Sequence, residues 1–420
     1  LYRNKGSTTN IVEMGKIISE NNLSGNYLNF EDNSERENLT IFLPGTGFVI
    51  YLLWKIFPVY NFSTLLFLQI LIDSIIISLF SMMFYKMNKK LGVLIAVILL
   101  FNIVCIKRVL MVGYDFWPQI TVLISFILIY NMLNTNKTYY YILLGLINAV
   151  AIWFREITIL LLIVASTLIL FINYKKGIKI KDNIKKTSVM ILFFILSISL
   201  LSFYRSNISE NARPTRNTLW HSVLVGIGQF SNPYDITAND ISAWEFAKKN
   251  EKSLENKELW DMYNSPNSEY EIFAKSKSID FIKNYPHLFI RNTIYRTAII
   301  LSPLLYSDGD FLPVKYQKIF FVLGLILLPV WFLGIYQIYK YNKILFYTII
   351  ILVVNTIISF SWWYVVGRVI IPILFTHFIV YLFALKYFYD KFFKDKLELY
   401  LKRNIRKQLV TNNSNNLCSK

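Results

Sequence analysis

Cysteine is nearly absent from this 420-residue chain: Cys105 lies inside an apolar run and Cys418 in the tail, so neither a disulfide framework nor a thiolate metal site is available. Acidic residues are scarce as well, 26 Asp and Glu against 44 Lys and Arg, for a formal charge of +18. There is no tandem repeat, and low complexity is confined to the Asn-rich stretch 411–416. A glycine-rich nucleotide loop is missing too. Gly226-Ile227-Gly228 follows no strand and lacks a third glycine, which excludes a dinucleotide fingerprint. Nor does any acidic cluster have divalent-metal spacing, so no cofactor is called for.

What is abundant is apolar surface. Hydrophobic residues make up 55% of the chain and aromatics 17%, and the mean hydropathy is +0.43, more than one soluble core requires. These residues are gathered in long runs, which identifies an all-α polytopic membrane protein. The positive charge does not point to nucleic acid, because the lysines cluster in short loops between apolar runs, the pattern that encodes orientation in a bilayer.

Apolar runs at roughly 63–85, 91–106, 116–134, 139–154, 157–173, 187–205, 317–336, 344–363 and 368–388 give about nine expected transmembrane helices. With the C-terminal tail in the cytoplasm, the inner loops hold twelve lysines (among them Lys86, Lys89, Lys137, Lys175 to Lys186, Lys340 and Lys343). The short outer loops hold four basic residues, Lys107, Arg108, Arg155 and Arg368. Ile41–Phe57 and Phe289–Tyr306 are also apolar, yet a crossing by either one alone would put the Lys-rich loops outside. Both are expected to lie along the outer surface.

The organisation that follows has five parts: an extracytoplasmic segment 1–62 with a juxtamembrane helix, a six-span bundle 63–205, an extracytoplasmic helical loop 206–316, three spans in 317–388, and a basic cytoplasmic tail 389–420. The loop has helical periodicity at Ala243–Lys249 and Ile272–Ile282, with a stop at Tyr285-Pro286. The chain opens on a polar segment with no signal peptide to read, so a further upstream piece is expected.

Charged residues of chemical interest fall at expected outer helix ends. Arg155 and Glu156 interrupt an apolar stretch from Tyr139 to Asn173 that is too long for one span and too short for two comfortable ones, and they read either as a structural ion pair or as the floor of a polar cleft. Asp115 precedes a span, as helix cap or as proton acceptor. Arg368 follows Trp362, Trp363 and Tyr364, as interfacial anchor or as phosphate clamp. Arg216, Trp220, His221 and Asp240 lie in the densest polar and aromatic stretch, read either as a loop that receives a polar ring and a charged group or as an ordinary folded surface loop. Asp73, Asn148, Asn355 and His377 lie within spans and read as interhelical hydrogen-bonding residues.

Four features in this order resemble the polytopic glycosyltransferases of the C superfamily, in particular the bacterial branch related to protein mannosyltransferases and aminoarabinose transferases. They are Leu43-Pro-Gly-Thr-Gly-Phe48 before a span, Gly145 through Trp153-Phe154-Arg155-Glu156, the large outward loop after the next span, and Gly367-Arg368-Val-Ile-Ile-Pro372. Val369 stands where the family has Tyr, and the family's catalytic Asp follows a first span that this chain does not show.

The resemblance implies an inverting transfer of a sugar from a polyprenyl-phosphate donor to a glycan, lipid or protein acceptor outside the bacterial cytoplasmic membrane. Arg155 and Arg368 would hold the phosphate, Glu156 or Asp115 would act as base or orienting group, and Arg216, His221, Trp220 and Asp240 would face the sugar or acceptor. Apolar grooves between spans would take the isoprenoid, with membrane lipids as neighbours and no nucleic-acid partner. A cell-surface polysaccharide polymerase or ligase uses similar donors and is the alternative. A lipid-linked sugar flippase fits less well, because the charges gather on one face and no internal repeat is present.

Overall fold

The computed structural model describes residues 45–56, 62–101, 116–154, 158–206, 219–256, 269–302, 317–362 and 373–393. Among the described residues every regular element is a helix and no strand occurs. In chain order they are α1 (Gly45–Ile56), α2 (Phe62–Met87), α3 (Lys89–Leu100), α4 (Phe116–Thr135), α5 (Thr138–Ala151), α6 (Thr158–Lys175) and α7 (Ile180–Ser206). Then follow α8 (Leu219–Ile227), α9 (Asp240–Asn250), a 3-10 turn (Lys252–Leu254), α10 (Glu269–Asn284), α11 (Pro286–Leu301), α12 (Gln317–Tyr341), α13 (Lys343–Phe360) and α14 (Leu374–Phe392).

Four of these helices, α2, α7, α12 and α13, are long and apolar enough to cross a membrane; α4, α5 and α6 are shorter apolar helices. The outer faces of the long ones carry exposed side chains such as Phe67, Ile75 and Leu79 on α2, Leu196, Leu200 and Phe203 on α7, and Phe321, Leu325 and Ile326 on α12. Apolar faces of this extent have no stable place in water. They suit hydrocarbon, and the chain is a membrane-embedded helical protein.

The helices pair as hairpins because the turn residues fit. Asn88 and Asn342, each in an extended conformation between two helices, accept from the amides of Leu91 (3.1 Å) and Leu345 (3.0 Å), so a single residue ends one helix and caps the next. Asn136 ends α4 in the left-handed region at φ 51°, and Gly177 does the same after α6 at φ 76°. All four hairpins turn at the Lys-rich end. There Lys176 and Lys186 donate to the carbonyls of Leu133 and Asn136 at the C-terminus of α4, where a cation complements the helix dipole. Asn173 ties the same end together by donating to Tyr141 (2.8 Å) and Asn183 (3.0 Å).

Two cores result. The larger lies in the bundle around the mutually edge-on rings of Phe80, Phe126 and Phe375, with centroids 4.9 to 5.5 Å apart. Close approach of α5 to α7 depends on Gly145, where a Cβ would lie 2.7 Å from the Met190 carbonyl oxygen. The smaller core is formed by α8, α9 and α10 around Leu224, Trp244, Tyr270, Phe273 and Phe281, and its central helix α8 is almost wholly buried. Helix α11 joins the two: Leu288 and Phe289 pack on the smaller core, while Ile299, Ile300 and Leu301 belong to the larger. The smaller unit is therefore anchored to the bundle by one continuous helix.

Candidate functional site

The stretch expected as a receiving loop is helical where it matters. Trp220 and His221 open α8, with the Trp220 ring packed against the small core instead of standing free. Glu271, in the first turn of α10, is buried and turns its carboxylate to the start of α8, where Oε2 accepts from the Trp220 amide (3.2 Å) and Oε1 from the His221 amide (3.3 Å). A carboxylate at a helix N-terminus satisfies amides that have no intrahelical partner and opposes the positive end of the dipole.

His221 is held at both ring nitrogens: Nε2 lies 3.1 Å from Asp240 Oδ1 and Nδ1 2.6 Å from the Tyr270 hydroxyl. A carboxylate only accepts, so Nε2 carries the hydrogen, and in the neutral ring Nδ1 then accepts from Tyr270. Asn239 caps α9 by accepting from the Ser242 amide at 2.7 Å, which places Asp240 in the first turn beside His221. The His221 side chain is 7% exposed and that of Asp240 60%. The result is a buried Tyr–His pair that orients a carboxylate at the surface, an arrangement that can accept a proton from a bound hydroxyl.

A second polar centre lies where the small unit meets the bundle. Arg296, on α11, is 2% exposed and donates Nε to Gln229 Oε1 (3.1 Å), Nη1 to the Ser361 carbonyl (3.4 Å) and Nη2 to the Gly226 carbonyl (2.5 Å). Gly226 lies in the last turn of α8 and Ser361 caps α13, so one guanidinium bridges the negative ends of two helices belonging to different cores. Its Cζ also sits 5.5 Å from the centre of the Phe230 ring. Burial pushes its pKa down to about 10, which leaves it charged at neutral pH.

Of the residues singled out in the sequence, the structure brings His221 and Asp240 into contact, with the Trp220 backbone at the same helix start. Arg155, Glu156, Asp115, Arg216 and Arg368 lie outside the described residues. Sequence reasoning missed Tyr270, Glu271, Gln229 and Arg296. The acidic first turn of α10 was a local signal for Glu271, but nothing local announces a partner 50 residues away in the chain.

No family model, characterised protein or solved structure matches the chain. Among the described residues no group of His, Cys, Asp and Glu is arranged to hold a metal ion. Within the bundle, His377 Nδ1 accepts from the Trp331 indole at 3.0 Å across helices α12 and α14, as the packing role predicts. Asn148 instead donates to Leu144 of its own helix, and Asp73 Oδ1 and Asn355 Oδ1 are buried without a partner.

Proposed function

We propose that the chain is an inverting membrane glycosyltransferase with about nine spans, moving a sugar from a polyprenyl-phosphate donor to an acceptor on the extracytoplasmic side. The nine spans are α2 to α7 and α12 to α14, with the Lys-rich hairpin turns in the cytoplasm and the α8–α10 unit outside. The observation that carries the reading is the Asp240 carboxylate held by His221 on a small helical unit fastened to apolar helices.

In this reading the acceptor hydroxyl gives its proton to a carboxylate as its oxygen attacks the anomeric carbon. The new C–O bond forms as the bond to the phosphate oxygen breaks, and polyprenyl phosphate leaves with the electron pair. Asp240, oriented by His221, is assigned to the acceptor side, and Glu156 or Asp115 remain alternatives for the base. Arg155 and Arg368 are assigned to the departing phosphate, and Arg216 and Trp220 to the sugar or acceptor. No metal is assigned a step.

The test is transfer from a radiolabelled polyprenyl-phosphosugar by protein purified in nanodiscs. Arg155→Ala, Arg368→Ala and Asp240→Asn are each expected to remove most of the transfer at unchanged expression. Wild-type turnover in all three refutes the proposal.

A further inference from the structure

The Arg296 guanidinium carries its charge deep in the protein among neutral partners only. It has five N–H groups, of which three reach the side-chain amide of Gln229 and the carbonyls of Gly226 and Ser361. Two remain, and no carboxylate among the described residues pairs with it. The carbonyl ends of α8 and α13 offset part of this charge, but a buried cation with no full counter-ion remains costly.

Asn292 lies one helical turn earlier on the same face of α11 and is 1% exposed. Its Oδ1 accepts from Nε (3.2 Å) and Nη2 (3.1 Å) of Arg291. Since Arg291 can only donate, the amide orientation is fixed, and the NH2 group points the other way. That Nδ2 is buried and has no hydrogen-bond partner.

Both residues line one tight cleft whose other walls include Ile227, Phe281, Phe289 and Trp362, and its walls are too close together to hold even a water-sized group as they stand. Its polar side is thus lined by a cation without a carboxylate partner and by an amide NH2 without an acceptor. Such a lining lacks an acceptor, and the acceptor that also cancels the charge is an oxyanion. The cleft lies where α11 passes from the small core to the bundle core, beside the end of the apolar helix α13, so its ligand arrives at the edge of the apolar layer.

We infer that Arg296 and Asn292 form an anion site that takes an oxygen of a phosphoryl group once the apolar walls of the cleft part to admit it. The inference does not rest on the transferase reading, since binding is measured without turnover.

The deciding variant is Asn292→Asp. It keeps the acceptor for Arg291, replaces the unpartnered donor by a carboxylate one turn from Arg296, and so fills the site with a built-in counter-ion. Farnesyl phosphate, farnesol and inorganic phosphate are titrated into purified full-length protein by calorimetry, with the melting temperature recorded in parallel. Wild-type protein is expected to bind a phosphorylated probe saturably. N292D is expected to lose at least tenfold in that affinity while melting no lower than wild type. A preference for farnesyl phosphate identifies a lipid-borne group, and equal affinity for inorganic phosphate a free one.

Identical affinities in wild type and N292D, or farnesol binding as tightly as farnesyl phosphate, overturn the site. Arg296→Gln gives the same readout where it folds. If transfer persists with a donor affinity indifferent to N292D, the anion site falls and the transferase proposal stands.

Discussion

His221 and Asp240 are 19 residues apart in the chain and meet at 3.1 Å, with one side chain buried and the other mostly in solvent. The asymmetry makes their roles separable by mutation. Asp240→Asn keeps the shape and removes a charge that is largely hydrated, so the expected loss of stability is within about 0.5 kcal/mol. If Asp240 receives the acceptor proton, transfer falls by on the order of a hundredfold or more. Thermal unfolding and initial rates measured on one preparation check both halves, and a proportional loss in stability and rate would point to a structural role.

His221→Ala removes the ring that joins Tyr270 to Asp240 and leaves a buried hydroxyl without that partner. The expected cost is about 1–3 kcal/mol, read as a lower melting temperature. His221→Gln, which can still bond at one end, is expected to fall between alanine and wild type.

Glu271→Ala exposes the start of α8 by removing the acceptor of two amides. A loss of about 1–2 kcal/mol is expected, with local unfolding of the α8–α10 unit seen as faster amide exchange in α8 than in the bundle helices. Uniform exchange across both units would contradict this.

Gly145→Ala places a methyl where the Met190 carbonyl oxygen would be 2.7 Å away, so α5 and α7 have to separate. The expected destabilisation is about 1–3 kcal/mol, with a lower yield of folded protein in detergent. Gly177→Ala meets no atoms within 4 Å, but its φ of 76° makes the change unfavourable through the backbone alone, by roughly 1 kcal/mol.

Topology is tested by single cysteines in a background lacking Cys105 and Cys418. Ser253 and Lys179 are both exposed, the first on the small helical unit and the second in a Lys-rich turn. Impermeant maleimide added to intact cells is expected to label Ser253→Cys and to spare Lys179→Cys. The reverse pattern would invert the orientation and remove the proposed reaction from the outer face.

Much of the architecture was legible in the sequence because apolar runs and their breakers act locally. The run expected at 63–85 is the helix Phe62–Met87, and the stop expected at Tyr285-Pro286 divides α10 from α11, since proline has no amide to continue a helix but fits the first turn of the next. Helix capping by Asn88 and Asn342 is equally local. The stretch around Trp220 and His221 misled where it was read as a loop: glycine and polar residues suggested turns, whereas burial of Val223 to Ile227 against α10 favours a helix at Leu219–Ile227.

The sequence by itself determined a membrane-embedded, all-helical chain with a polar helical unit between apolar runs, because hydropathy, lysine placement and capping residues operate within a few residues of where they stand. Only the tertiary structure decided which polar groups meet: His221 with Asp240 and Tyr270, Glu271 with the start of α8, and Arg296 with the ends of α8 and α13. Those pairings depend on α8 packing inside its small core and on α11 running from one core into the other. A helix's sequence specifies which face is apolar, but not which distant residue the buried polar atoms on that face will find.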